Sequence, residues 1–296
     1  MTYKFLLAYL FLIGSLSANA IELQPKKYNL SVCAIFKNEA HYLKEWIEYH
    51  RLVGVDHFYL YNNNSTDHFK RVLEPYIKKG IVSLIHWPDY HGNLEEDQMY
   101  MWALSTQLSA YENAKIKAAK ESKWLALIDI DEFLVPFEKS TLPEQLAAYD
   151  GYAAVTLSRI FFDASKRDVI PRRRLVIEAL ELTHAQENPQ KAVCKTIFKP
   201  ERSIGFTWQP YQPLIPNGEK TIELKQHDIG VNRYANRYVE GKLFFGKMRD
   251  RLTIDNRTLS SEDVSALLED GYEIEDQEKL IYRFVPQLLR NMGYMR

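Results

Sequence analysis

Three carboxylates fall within four positions at Asp129, Asp131 and Glu132. They follow an apolar run: the six residues Trp124 to Asp129 read as a strand that ends in acid. Side chains alternate between the faces of a strand, so Asp129 and Asp131 are expected on one face and Ile130 on the other. Carboxylates at the end of a buried strand are costly unless positive charge meets them. Two arrangements would supply it. One is a divalent metal on hard oxygen ligands, shared with a substrate phosphate. The other is a set of Lys and Arg side chains paired with the acids.

The elements that must position this cluster come earlier in the chain. Leu30–Phe36 is a buried strand with Lys37-Asn38-Glu39 at its carboxyl end. A helix is expected from His41 to about Val53, with Leu43, Trp46, Ile47 and His50 on one face and Gly54 as its stop. His57–Tyr61 is a second strand. The polar turn Asn62–Asp67 can cap a helix that starts near Phe69 and ends at Gly80, and Ile81–His86 is a third strand. This alternation predicts a parallel sheet with right-handed crossovers. Ligands of such sheets bind beyond the carboxyl ends of the strands, where all three polar clusters fall.

Further along, a long helix is expected from about Gln98 to Lys120. Thr141-x-x-Glu144 is a capping box. Ala153–Arg159 and Ala192–Phe198, with Lys195, are strands, and Phe161–Arg174 reads as irregular, its Arg172-Arg173-Arg174 run a solvated turn first and a diphosphate contact second. Gly205–Gly218, with Trp208 and Tyr211, reads as an ordered loop able to form a lid or acceptor wall. The last helix is expected over Asp276–Arg290 with Pro286 inside it. A formal net charge of -1 gives no support for nucleic-acid binding. Cys33 and Cys194 read as buried free thiols, with one disulfide left open. Lys4, the apolar run Phe5–Leu16 and Ala18–Ala20 read as a signal peptide over residues 1–20, or as an uncleaved membrane anchor. The expected organisation is a linker over 21–29, a main domain over 30–251 and a helical extension over 252–296.

In this order, Phe36-Lys37-Asn38-Glu39, Tyr42 to His50, Gly54 to Asp67, Gln98, Trp124 to Phe133, Lys195-Thr196-Ile197 and Asn232-x-Tyr234 with Arg237 resemble glycosyltransferase family 92 and the neighbouring bacterial family 2-like transferases. The resemblance implies an α/β, GT-A-type, Rossmann-like and mostly parallel sheet flanked by helices. It implies inverting transfer of galactose or another hexose from a UDP-sugar to a glycan acceptor. Lys37, Asn38, Glu39, Asn62, Asn63, Asp67, Gln98, Asp129, Lys195, Arg233 and Arg237 would bind the nucleotide sugar. Asp129 and Asp131 would hold Mn2+ or Mg2+, Asp131 would serve catalysis, and His227 or His184 could stand in as a third ligand. Two positions depart from the family pattern: Arg233 stands where a His is usual, and Gln209-Pro210-Tyr211 where a further His is usual. Arg233 could instead steady the diphosphate. Among Asp163, Glu187 and Asp228, Asp163 is the first candidate for the base that takes the acceptor proton. The competing reading is a non-catalytic relative that binds nucleotide or glycan. Neither G-x-S-x-G nor H-E-x-x-H is present to favour a hydrolase.

Overall fold

The structure, a computed structural model, describes residues 25–88, 106–157, 159–163, 174–179, 181–182, 195–207, 211–224, 228–235 and 280–294. The first half alternates as expected: β1 (Tyr28–Phe36), α1 (Ala40–Leu52), β2 (His57–Asn62), α2 (Phe69–Lys78), β3 (Val82–His86), α3 (Leu108–Glu121) and β4 (Ser122–Leu127). Then follow β5 (Glu132–Pro136), α4 (Leu142–Leu146), β6 (Ala154–Leu157), β7 (Arg159–Asp163), α5 (Val176–Ala179), β8 (Glu181–Leu182) and β9 (Lys195–Phe198). The remainder holds β10 (Gly205–Phe206), β11 (Pro213–Leu214), β12 (Thr221–Glu223), β13 (Ile229–Ala235) and α6 (Val285–Met292).

The main sheet has the order β12-β6-β9-β4-β1-β2-β3. Neighbours pair in parallel except at β9, which runs against both β4 and β6. A second sheet, β5-β13-β7-β8, carries the continuation of the acidic segment. All six residues of β2 are buried because both faces of the main sheet are covered. Phe58 and Leu60 enter one core with Trp46 and Ile47 of α1, while Tyr59 and Tyr61 enter a second core with Tyr111 of α3. Ala110, Ala114 and Ala118 recur every fourth residue on α3, so this helix meets the sheet through small side chains.

The Thr141 capping box forms, with the Thr141 side chain accepting from Glu144 N and the Glu144 side chain from Thr141 N. Three expectations need correcting. The acidic run is not one strand: β4 stops at Leu127 and β5 starts at Glu132. Phe161–Asp163 belongs to β7, paired with β13 and β8, rather than to an irregular stretch, because neighbours distant in sequence supply its ladder. Pro286 lies in the first turn of α6, where its missing N–H costs nothing, and the helix runs on to Met292. Cys33 is a buried free thiol, while Cys194 and residues 1–20 lie outside the described residues. Among the described residues no helix is long and apolar enough to cross a membrane.

Candidate active site

A turn, not strand alternation, brings Asp129 and Asp131 together. Ile128 N still donates to Cys33 O at 3.2 Å, and then Glu132 N donates to Asp129 O at 3.1 Å and reverses the chain. The Glu132 carboxylate completes the turn by accepting from Asp129 N at 2.8 Å. One carboxylate oxygen from each of Asp129, Asp131 and Glu132 ends within 4.8 Å of the other two.

The aromatic residues of α1 fix the far side of this turn. Trp46 Nε1 donates to Glu132 O at 2.8 Å, and Tyr49 Oη donates to Leu134 O at 3.0 Å. Leu134 N donates to His50 Nε2 at 3.2 Å, so the ring proton sits on Nδ1, which donates to Trp46 O at 2.8 Å. Burial holds the His50 pKa down at about 3, against the opposing backbone hydrogen bond, and the ring is neutral. On the other flank β13 pairs antiparallel with β5, Arg233 opposite Glu132, and Tyr234 N extends the ladder to Asp131 O at 2.8 Å.

The acids meet two internal cations. Lys195 Nζ lies 2.9 Å from Asp129 Oδ2 and 2.9 Å from Glu132 Oε2, and the Lys195 and Glu132 side chains are both 0% exposed. Tyr211 Oη donates to Asp129 at 2.8 and 3.0 Å and accepts from Gln107 Nε2 at 2.8 Å. The Tyr211 ring also lies against Lys195, with Nζ 3.2 Å from its centroid. Burial alone would raise the Asp129 pKa, but the charges of Lys195 and Arg233, and hydrogen bonds from Lys195 and Tyr211, hold it below the usual carboxylate range. Arg233 Nε donates to Asp131 Oδ2 at 3.1 Å. Burial opposes the Arg233 charge, yet Asp131, Glu132 and Asp129 outweigh it and raise its pKa.

Pairing with Lys and Arg, one of the two arrangements foreseen, is therefore present. It does not satisfy the cluster. Asp131 Oδ1 is buried and has no hydrogen-bond partner among the described residues. Among the described residues, three carboxylates against two paired cations leave a formal charge of -1. A buried, unmatched hard oxygen in an acidic cluster suits a divalent ion on Asp131 and Asp129. Glu132 is already taken up inside the protein by Lys195 and the Asp129 N–H.

At the neighbouring strand ends, the two loops lock into each other. Asn38 adopts φ 58° and accepts from Thr66 N at 2.8 Å through Oδ1, while its own N donates to Ser65 Oγ at 2.9 Å. Asn62 Oδ1 accepts from Ser65 N at 3.0 Å, and Asn63 Nδ2 donates to Trp87 O at 3.0 Å. Asp67 accepts from Ala40 N at 2.8 Å and Phe69 N at 3.3 Å, so its carboxylate serves the first turns of α1 and α2. Lys37 and Glu39 flank Asn38 at this rim, beyond the end of β1. Gln98, His227, Arg237, Glu187 and His184 lie outside the described residues.

Of the candidate bases, Asp228 lies at the opposite end of β13 from Arg233, five residues away or roughly 17 Å along a strand. Asp163 pairs with Ala235, two residues past the Arg233–Phe161 pair, so its backbone is at the acidic end of the second sheet. Tyr211 and Gln107 were not expected at the acids. Tyr211 stands 82 positions from Asp129, and no local pattern announces their contact.

A sequence profile of glycosyltransferase family 92 matches residues 26–270. The chain belongs to glycosyltransferase family 92. A family 92 protein of Oryza sativa subsp. japonica is 30% identical over 125 residues, covering 42% of this chain and 19% of that protein. One from Arabidopsis thaliana is 31% identical over 121 residues, covering 39% and 19%. The family 92 chain thus aligns with about a fifth of the length of these curated relatives. Among solved structures, it is similar to the mannosyltransferase PcManGT from Pyrobaculum calidifontis in complex with GDP-Man and Mn2+, at TM-score 0.41 and 11% identity, covering 97% of this chain and 80% of that one. It is also similar to S. aureus TarS 1-349 in complex with UDP, at TM-score 0.35 and 13% identity, covering 84% and 77%.

Proposed function

We propose that this family 92 chain transfers a hexose, galactose first, from a UDP-sugar to a glycan acceptor with inversion at the anomeric carbon. The observation that carries the reading is the unmatched Asp131 Oδ1 in an acidic cluster at the carboxyl end of β4, where an α/β sheet presents its ligand crevice. Asp131 and Asp129 would hold Mn2+ or Mg2+. The ion supplies charge compensation for the departing diphosphate. Arg233 adds a further cation at the same place. The Lys37–Glu39 and Asn62–Asp67 loops form the adjoining rim and suit the nucleoside.

In the reaction an acceptor hydroxyl oxygen bonds to the anomeric carbon as the bond from that carbon to the UDP oxygen breaks. The hydroxyl proton passes to a carboxylate, for which Asp163 is the first candidate. Export through residues 1–20 would put the activity in a secretory lumen or outside the cell, and an uncleaved segment would hold it at a membrane.

Asp131→Asn tests the reading. Asn keeps the shape and an oxygen for Arg233, whereas Ala would strand a buried guanidinium. Transfer from UDP-galactose with Mn2+, followed by UDP release, should fall by about 100-fold or more, with thermal stability nearly unchanged. Wild-type-like turnover in Asp131→Asn would refute the assignment. UDP-sugar binding with no turnover on any glycan in the wild-type chain would favour the non-catalytic relative.

A further inference from the structure

The two oxygens of Asp131 have different environments. Oδ2 receives the Arg233 guanidinium at 3.1 Å, while Oδ1 is buried and unmatched among the described residues. The other internal cation cannot help, since Lys195 is fully enclosed and already divided between Asp129 and Glu132. Arg233 lies on β13 directly opposite Glu132, so the ladder fixes its backbone and only its side chain can move.

We infer that Arg233 couples metal binding to donor binding at this site, an inference that rests on the nucleotide-sugar reading above. A divalent ion on Asp131 Oδ1 puts two cations on one carboxylate. Their repulsion in a buried setting weakens the ion when it binds alone. A diphosphate changes the balance, because a guanidinium pairs with phosphate oxygens in the forked geometry it uses for carboxylates. As Arg233 turns to the diphosphate, Asp131 is released to the ion. Each ligand then raises the affinity of the other by the same factor. The free enzyme is left with its acids partly neutralised from within, and the site assembles fully only around metal and donor together.

Calorimetric titration of Mn2+ into the full chain, with and without saturating UDP, tests this in the wild type and in Arg233→Gln. In the wild type UDP should raise Mn2+ affinity by about tenfold or more. In Arg233→Gln, Mn2+ alone should bind about tenfold tighter than in the wild type, and the enhancement by UDP should shrink. Mn2+ binding to Arg233→Gln no tighter than to the wild type overturns the inference. Should the Gln variant not fold, Arg233→Lys keeps the charge without the fork. It should hold Mn2+ weakly when alone and lose most of the enhancement, and a full wild-type enhancement in Arg233→Lys overturns the inference equally. If wild-type chain binds UDP neither with nor without Mn2+, the nucleotide-sugar reading itself is what fails.

Discussion

Lys195 shows how a residue of the site can act without reaching a ligand. Its ammonium is sealed between Asp129 and Glu132 and under the Tyr211 ring. It therefore sets the position and charge of Asp129, and contact with a donor would require breaking both ion pairs. Lys195→Met would leave a buried Glu132 carboxylate and a half-buried Asp129 without their common partner. Breaking a buried pair from one side costs about 3–5 kcal/mol. Urea unfolding of Lys195→Met should show a loss of that order, and a loss within about 1 kcal/mol would mean the ion pairs are not structural.

Helix α1 is the element that aims the acidic turn. Trp46 and His50 read as part of one helix face with Leu43 and Ile47, yet these two and Tyr49 each spend a polar atom on the backbone of β5 or of α1 itself. His50 ties acid stability to this contact. Its folded pKa, about 3, is below the ordinary value of 6.5. The unfolded chain binds the extra proton between these values, so stability is full above about pH 6.5 and falls as pH drops toward 3. From pH 7 to pH 5 this single ring should cost about 2 kcal/mol. His50→Gln should lower stability at pH 7 but flatten its dependence on pH by about that amount. An unchanged pH slope in urea unfolding would show that His50 is not the titrating group.

At the scale of the whole molecule, residues 280–294 pack into the core that includes α1. Ile281, Leu288 and Met292 belong to the same core cluster as Trp46. Arg283 donates to the carbonyls of Pro136, Phe137 and Lys139, Phe284 meets Tyr49 edge-on at 5.6 Å, and Lys44 Nζ donates to Met292 O at 3.1 Å. This segment thus braces the end of β5 and the face of α1 that carries Tyr49. Arg283→Ala removes the charged donor from three carbonyls and should cost about 1.5–3 kcal/mol. A shifted urea midpoint at constant slope would register it. An unmoved midpoint would show that this segment is not a brace.

Local pattern was enough for the first half of the fold. Apolar runs of strand and helix length, separated by Gly54, Asn62–Asp67 and Gly80, mark β1 to β3 with α1 and α2, and the capping box marks α4. The same patterns located the acidic cluster and two opposing ways of neutralising it. Neighbouring residues could not decide between them, because Lys195, Tyr211 and Arg233 stand 66, 82 and 102 positions from their acid partners. Burial then set which acids are consumed, closing Glu132 inside while leaving one oxygen of Asp131 unmatched. Strand period misplaced the Asp129–Asp131 segment for the same reason. Chain reversal there is held by Glu132 and by hydrogen bonds from α1 and β13, and such long-range pairing leaves no period in the sequence.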